Sequence, residues 1–156
     1  RSIDQLPPML DYDIRHGRTY MYFQGKPIYP FGYGLSYTTF EYRSLRLSAE
    51  SMAADGAAVV TIDVKNTGLR GGEEVVQMYV RHPHSRIDRA RLALRGFRRI
   101  HIEPGETKAV QMDLKARDLA YWDMNRRCFS VEDGEVEVMA GSSSASIELR
   151  RTISIT

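Results

Sequence analysis

Asp11 and Asp13, two apart in the run DYDIRHGR, are the carboxylates whose spacing could do chemistry. Paired carboxyl groups serve glycosidic and phosphoryl transfer as acid, base or nucleophile. In extended backbone, residues two apart project to one side with alpha carbons about 7 Å apart, so the geometry is admissible. Nothing around them supplies a pocket. Arg15 and Arg18 interleave with the two acids, the pattern of an arm that lies against another surface and pairs its charges. His82 and His84 resemble half of a metal site, but such a site needs three or four ligands and the neighbouring residues supply none, so a solvated loop is expected. Cys128 could act as a nucleophile only beside a base; next to Phe129 in an apolar run, it is expected to be a small buried residue. No glycine-rich loop opens a helix and no GxSxG turn occurs, so no catalytic, cofactor or metal residue is assigned.

Arg81, Arg86, Arg89, Arg91, Arg95, Arg98 and Arg99 make a basic stretch. Nucleic-acid binding would need stacking aromatics among them, and the one candidate, Phe97, is expected in the core. These arginines are expected to pair with a partner's acids or to coat a sheet edge. A net charge of +2 is too mild to point to nucleic acid or an anionic membrane. One cysteine allows no internal disulfide. No run reaches the 18 or so apolar residues of a membrane span. The first residue is Arg, as expected of a sequence that begins part-way along a longer polypeptide.

The elements that would position these groups divide into two kinds. Residues 1–40 carry no sustained period of 3.6 or 2.0 and are expected to form an extended arm. Seven of the nine tyrosines fall between Tyr12 and Tyr42, and glycines 25, 32 and 34 with prolines 27 and 30 turn the backbone repeatedly, so the rings must pack onto something. From residue 41 the pattern is alternation. Val60, Ile62 and Val64 face one side, with Thr61, Asp63 and Lys65 on the other; Val76, Met78 and Val80 alternate with Gln77, Tyr79 and Arg81. Leu92, Leu94, Phe97, Ile100 and Ile102 give a strand with a bulge at Gly96. Further strands are marked by Leu45 and Leu47; by Val110, Met112 and Leu114; by Val136, Val138 and Ala140; and by Ile147 through Ile155. One helical turn over 115–119, an apolar plug of Tyr121 and Trp122, and a plain turn over 51–56 complete the reading. Seven short strands with no crossover helix predict an all-β antiparallel sandwich over residues 41–156.

The blocks PFGYGLSYT, VTIDVKNTG, GGEEVVQMYV, LRGFRRIHIEPGET and GEVEVMAGSSS, in this order, resemble the C-terminal region of family 3 glycoside hydrolases. The resemblance covers nearly the whole chain. It implies an immunoglobulin- or fibronectin type III-like sandwich that braces the catalytic domains of a retaining β-glucosidase or β-xylosidase. The partners it implies are a barrel domain and an α/β sandwich domain of the same enzyme, expected on a separate chain after cleavage, with carbohydrate held mainly by those domains. No catalytic residue carries over, because the family's nucleophile motif does not occur. Tyr12, Arg15, Arg18, Tyr20, Tyr22, Tyr29, Phe31 and Tyr33 are expected at the interface with those domains; the rival placement folds these rings back onto the sandwich edge. The form DYDIRHGRTYMYF looks most like bacterial enzymes, and a periplasmic or secreted location is placed ahead of a cytoplasmic one. An independent carbohydrate-binding or adhesion module is the alternative, with Tyr79, Tyr121 and Trp122 as candidates for an exposed aromatic face.

Overall fold

The computed structural model describes residue 4 and residues 7–156. Alternation in the sequence becomes two facing sheets. β1 (Phe40–Leu47), β2 (Ser51–Met52), β3 (Ala57–Asn66), β4 (Gly72–Arg81), β5 (Ala93–Ile102), β6 (Thr107–Lys115), β7 (Tyr121–Asp123), β8 (Cys128–Ser130), β9 (Gly134–Gly141) and β10 (Ile147–Ile155) follow in order. One sheet has the order β1-β3-β6, the other β2-β10-β9-β4-β5, and β7-β8 form a separate hairpin. The seven expected strands are β1, β3, β4, β5, β6, β9 and β10. Three more exist, each two or three residues long, because local pairing outruns any sequence period at that length. Ser51 and Met52, read as part of a turn, pair with Ser154 and Ile155 in parallel, the exception in an otherwise antiparallel sandwich.

Val60, Ile62 and Val64 of β3 are fully buried and pair across to Met112, Val110 and Lys108 of β6. Val76, Met78, Val136, Val138 and Ile153 meet them from the larger sheet. Each such side chain removed from water contributes about 1.5–3 kcal/mol, so this layer is the main source of stability. Gly96 sits opposite Met78, with the register shifting just beyond it, as expected of a bulge. A side chain at Gly96 would meet Met112 Sδ and Met78 Cε at 3.1 Å, so glycine takes the inward slot. Phe97 is consequently turned outward and 64% exposed, which corrects its expected place in the core.

Asn66, fully buried at the end of β3, ties the fold's corner together. Its Nδ2 donates to Arg70 O at 2.7 Å and Ile102 O at 2.9 Å, while Oδ1 accepts from Thr38 Oγ1 at 2.7 Å and Gly68 N at 3.0 Å. All four side-chain hydrogen-bonding positions are thereby used. The expected helical turn is a 3-10 turn at Ala116–Leu119. In the β7–β8 hairpin, Trp122 lies edge-on to Phe129 at 5.3 Å and is 49% exposed, so the pair decorates the surface and does not plug the core. Cys128 is exposed as well, contrary to expectation, because the hairpin stands apart from both sheets.

Candidate interdomain docking surface

The arm is pinned to the outer face of the larger sheet, which explains why β4 is buried on both sides. Gln77 and Tyr79, read as outward residues, are 4% and 0% exposed. Tyr79 forms a small second core with Leu92 and Met139, and Tyr20, Leu94 and Ile147 pack against it. Tyr20 stacks on Phe31 at 4.0 Å and meets Tyr79 edge-on at 6.3 Å. Its hydroxyl accepts from Leu94 N at 3.0 Å. Arg91 N donates to Met21 O at 3.0 Å, and Ser144 N donates to Phe31 O at 2.9 Å.

Gln77 is the clasp. Its Nε2 donates to Gly32 O at 3.0 Å and Ser142 O at 2.6 Å, and its Oε1 accepts from Tyr79 Oη at 2.5 Å. Gly32 has φ +81°, a conformation that glycine adopts without steric cost. Any side chain there would overlap the Gln77 amide, with Cδ at 2.8 Å. This accounts for the first glycine of PFGYG. Thr19 also lies at positive φ, 59°, unusual for a β-branched residue, and opens a single helical turn, α1 (Thr19–Tyr22), where an extended arm was expected.

The expected interface residues divide. Tyr20 and Tyr22 are half-buried, Tyr20 against the sandwich, whereas Tyr12 is 83% and Tyr29 72% exposed. Phe31 and Tyr33 are also exposed, and the Tyr29 and Tyr33 rings lie 5.5 Å apart. Ile28, Leu35 and Tyr37 extend this apolar set. Arg15 closes on Asp13 with Nε at 2.9 Å from Oδ1 and Nη2 at 2.5 Å from Oδ2, while Arg18 Nη2 donates to Pro8 O at 2.6 Å. The arm thus pairs some of its charges internally.

Asp11 and Asp13 are poorly suited to acid catalysis. The hydrogen bond from Arg15 holds Asp13 well below the usual carboxylate range, and His16 Nδ1, 2.7 Å from Asp11 Oδ2, lowers Asp11. Both therefore stay ionised. His82 is half-buried, and burial, followed by the Arg89 charge, pushes its pKa down to about 4, so it is neutral near pH 7. Among the described residues no group of three or more His, Cys, Asp or Glu is placed to hold a metal ion, and no helix is long and apolar enough to cross a membrane.

Sequence reasoning missed three polar anchors: Asn66, Gln77 and Glu132. Burial alone would raise the Glu132 carboxyl, but donation from Arg86 N at 2.7 Å, Ser85 Oγ at 2.7 Å and Arg89 Nε at 3.2 Å holds it lowered. Arg89 also donates to Leu119 O at 2.8 Å and lies 5.1 Å over the Tyr121 ring. Only Asn66, just before the Thr67-Gly68 turn, carried a local signal; the other two are fixed by distant segments.

Comparison with known proteins agrees with this geometry. Residues 74–144 match the fibronectin type III-like domain. A β-xylosidase of Formosa agariphila is 41% identical over 88% of the chain and 19% of its own length. A β-glucosidase from Erythrobacter marinus superposes with TM-score 0.78 at 36% identity, covering 89% of the chain and 18% of that structure. A family 3 β-glucosidase of Bifidobacterium adolescentis superposes with TM-score 0.75 at 35% identity, over 81% and 18% respectively. The chain matches a region of the family 3 glycoside hydrolases. It corresponds to their fibronectin type III-like region and spans about a fifth of the relatives it matches. The similarity extends outside the strands, since the aligned share takes in part of the arm.

Proposed function

We propose that the chain is a non-catalytic bracing region of a retaining family 3 β-glycosidase that removes terminal β-linked glucose or xylose. Residues 41–156 are the sandwich, and residues 1–40 the arm that joins it to the catalytic domains. The observation that carries this is the two-sidedness of the arm: Tyr20, Gly32 and Phe31 O are fastened to the sandwich, while Tyr12, Tyr29, Tyr33 and Leu35 stay in water. Exposed apolar side chains of this kind, among them the neighbouring Tyr29 and Tyr33 rings, mark an interaction surface. Each ring covered by a partner contributes about 1.5–3 kcal/mol. Catalysis is assigned to the domains outside this chain, on one polypeptide or on a second after cleavage. The carbohydrate-module alternative loses one of its three candidate aromatics, because Tyr79 is fully buried.

The test uses the parent enzyme with Tyr12→Ala and Tyr33→Ala. The half-life of nitrophenyl glucoside or xyloside hydrolysis at elevated temperature is expected to fall several-fold, and size-exclusion analysis of a cleaved preparation should show the segment released. Unchanged half-life and co-elution would contradict the bracing role.

A further inference from the structure

A cleft of about 950 Å³ opens beneath the arm, floored by the Tyr20–Phe31 stack and walled by Phe23, Pro27 and Tyr29. Among the described residues, the cations Arg18, Lys26 and Arg91 line it and no carboxylate does. None of the three is in an ion pair among the described residues, whereas Arg15, Arg46, Arg86 and Arg99 each close on an acid of the chain. Arg18 Nη2 is used by Pro8 O, which leaves Arg18 Nε buried without an acceptor. Arg91 is held in position by its own N–H on Met21 O. A buried donor left unmade costs about 1–3 kcal/mol, more for a charged group.

Arg18 also feels the Asp11 carboxylate, but Lys26 and Arg91 close on no acid among the described residues, and apolar walls with such cations fit an occupant that is both apolar and anionic. We propose that the cleft receives a segment of the catalytic domains carrying an Asp or Glu beside a bulky apolar side chain. This rests on the bracing function and names its partner chemistry. The four-fifths of the relatives that lie outside this chain provide the source of such a segment.

Carbodiimide coupling of the parent enzyme, read by peptide mass spectrometry, tests it. Lys26 is expected to form an amide with a carboxylate outside residues 1–156, and Arg91→Lys to add a second such link. Separately, Lys26→Glu with Arg91→Glu is expected to speed chymotrypsin cleavage after Phe31 about ten-fold at low salt, and less at 1 M salt, where the screening length falls to about 3 Å. If Tyr12→Ala with Tyr33→Ala speeds that cleavage while the charge reversals do not, and Lys26 forms no external link, the cleft proposal fails and bracing stands. If neither pair has an effect, bracing fails too. Links from Lys26 only to Asp4 or other acids of this chain would mean that the cleft is covered from within, which also overturns the proposal.

Discussion

Replacing three glycines of the arm by alanine separates backbone strain from steric exclusion. At Gly34 a side chain meets nothing within 4 Å and φ is not positive, so Gly34→Ala should shift stability by less than about 1 kcal/mol, in the stabilising direction. At Gly17 there is equally open space, but φ is +81°, and Gly17→Ala should cost about 1–2 kcal/mol from conformation alone. Gly32 has the same φ and lies against Gln77. Gly32→Ala must therefore add the loss of the clasp, leaving the Gln77 amide and the Tyr79 hydroxyl buried without partners at about 1–3 kcal/mol. The combined loss is roughly 2–5 kcal/mol. It should be local, since Val60, Ile62 and Met112 do not depend on the arm. Hydrogen exchange resolves this: the Ser144 amide, bonded to Phe31 O, should exchange at least thirty-fold faster in Gly32→Ala, while β3 and β6 amides keep their protection. Equal Ser144 protection in the Gly32 and Gly34 variants would refute the clasp.

Three further outcomes are expected. Glu132→Ala should lower stability by about 3–5 kcal/mol in denaturant melts, because it strands Arg89 in a largely buried position. Asn66→Asp sets a carboxylate against the Arg70 and Ile102 carbonyls and should cost several kcal/mol at pH 7, about 2–4, and less at acid pH, where the group can donate again. Glu74 is raised by burial, with the Tyr42 hydroxyl at 2.7 Å pulling the other way. A raised carboxyl binds more protons folded than unfolded above its ordinary value of 4.5, so its contribution is full below that pH and is lost as pH rises through the folded value. Glu74→Gln should flatten that slope in pH-dependent melts.

The long strands were legible because one face of each meets the core and the other meets water; Val60, Ile62 and Val64 are the plainest case. Where a second layer covers the outer face, alternation loses its meaning, and Tyr79 and Gln77 were assigned to solvent for that reason. Phe97 was misplaced by one residue of parity at a bulge whose existence, but not phase, was readable from Gly96. The composition of the aromatic arm announced that its rings must pack onto something. Which rings turn inward was not readable, since Tyr20 and Tyr29 differ only in what lies beneath them, and that is set by β5 and the 141–146 turn.

The order in which these fastenings form follows from their reach along the chain. The arm precedes the strands in the sequence, yet the Gln77 clasp spans 45 residues to Gly32 and 65 to Ser142, and the Leu94 amide lies 74 from Tyr20. Contacts this distant must wait for β4, β5 and β9 to pair. The first part of the segment to leave the ribosome is thus the last to be seated, and its tyrosines pass through synthesis uncovered. That interval is when a neighbouring chain could capture them, which makes the arm the place where misassembly between two nascent copies would begin.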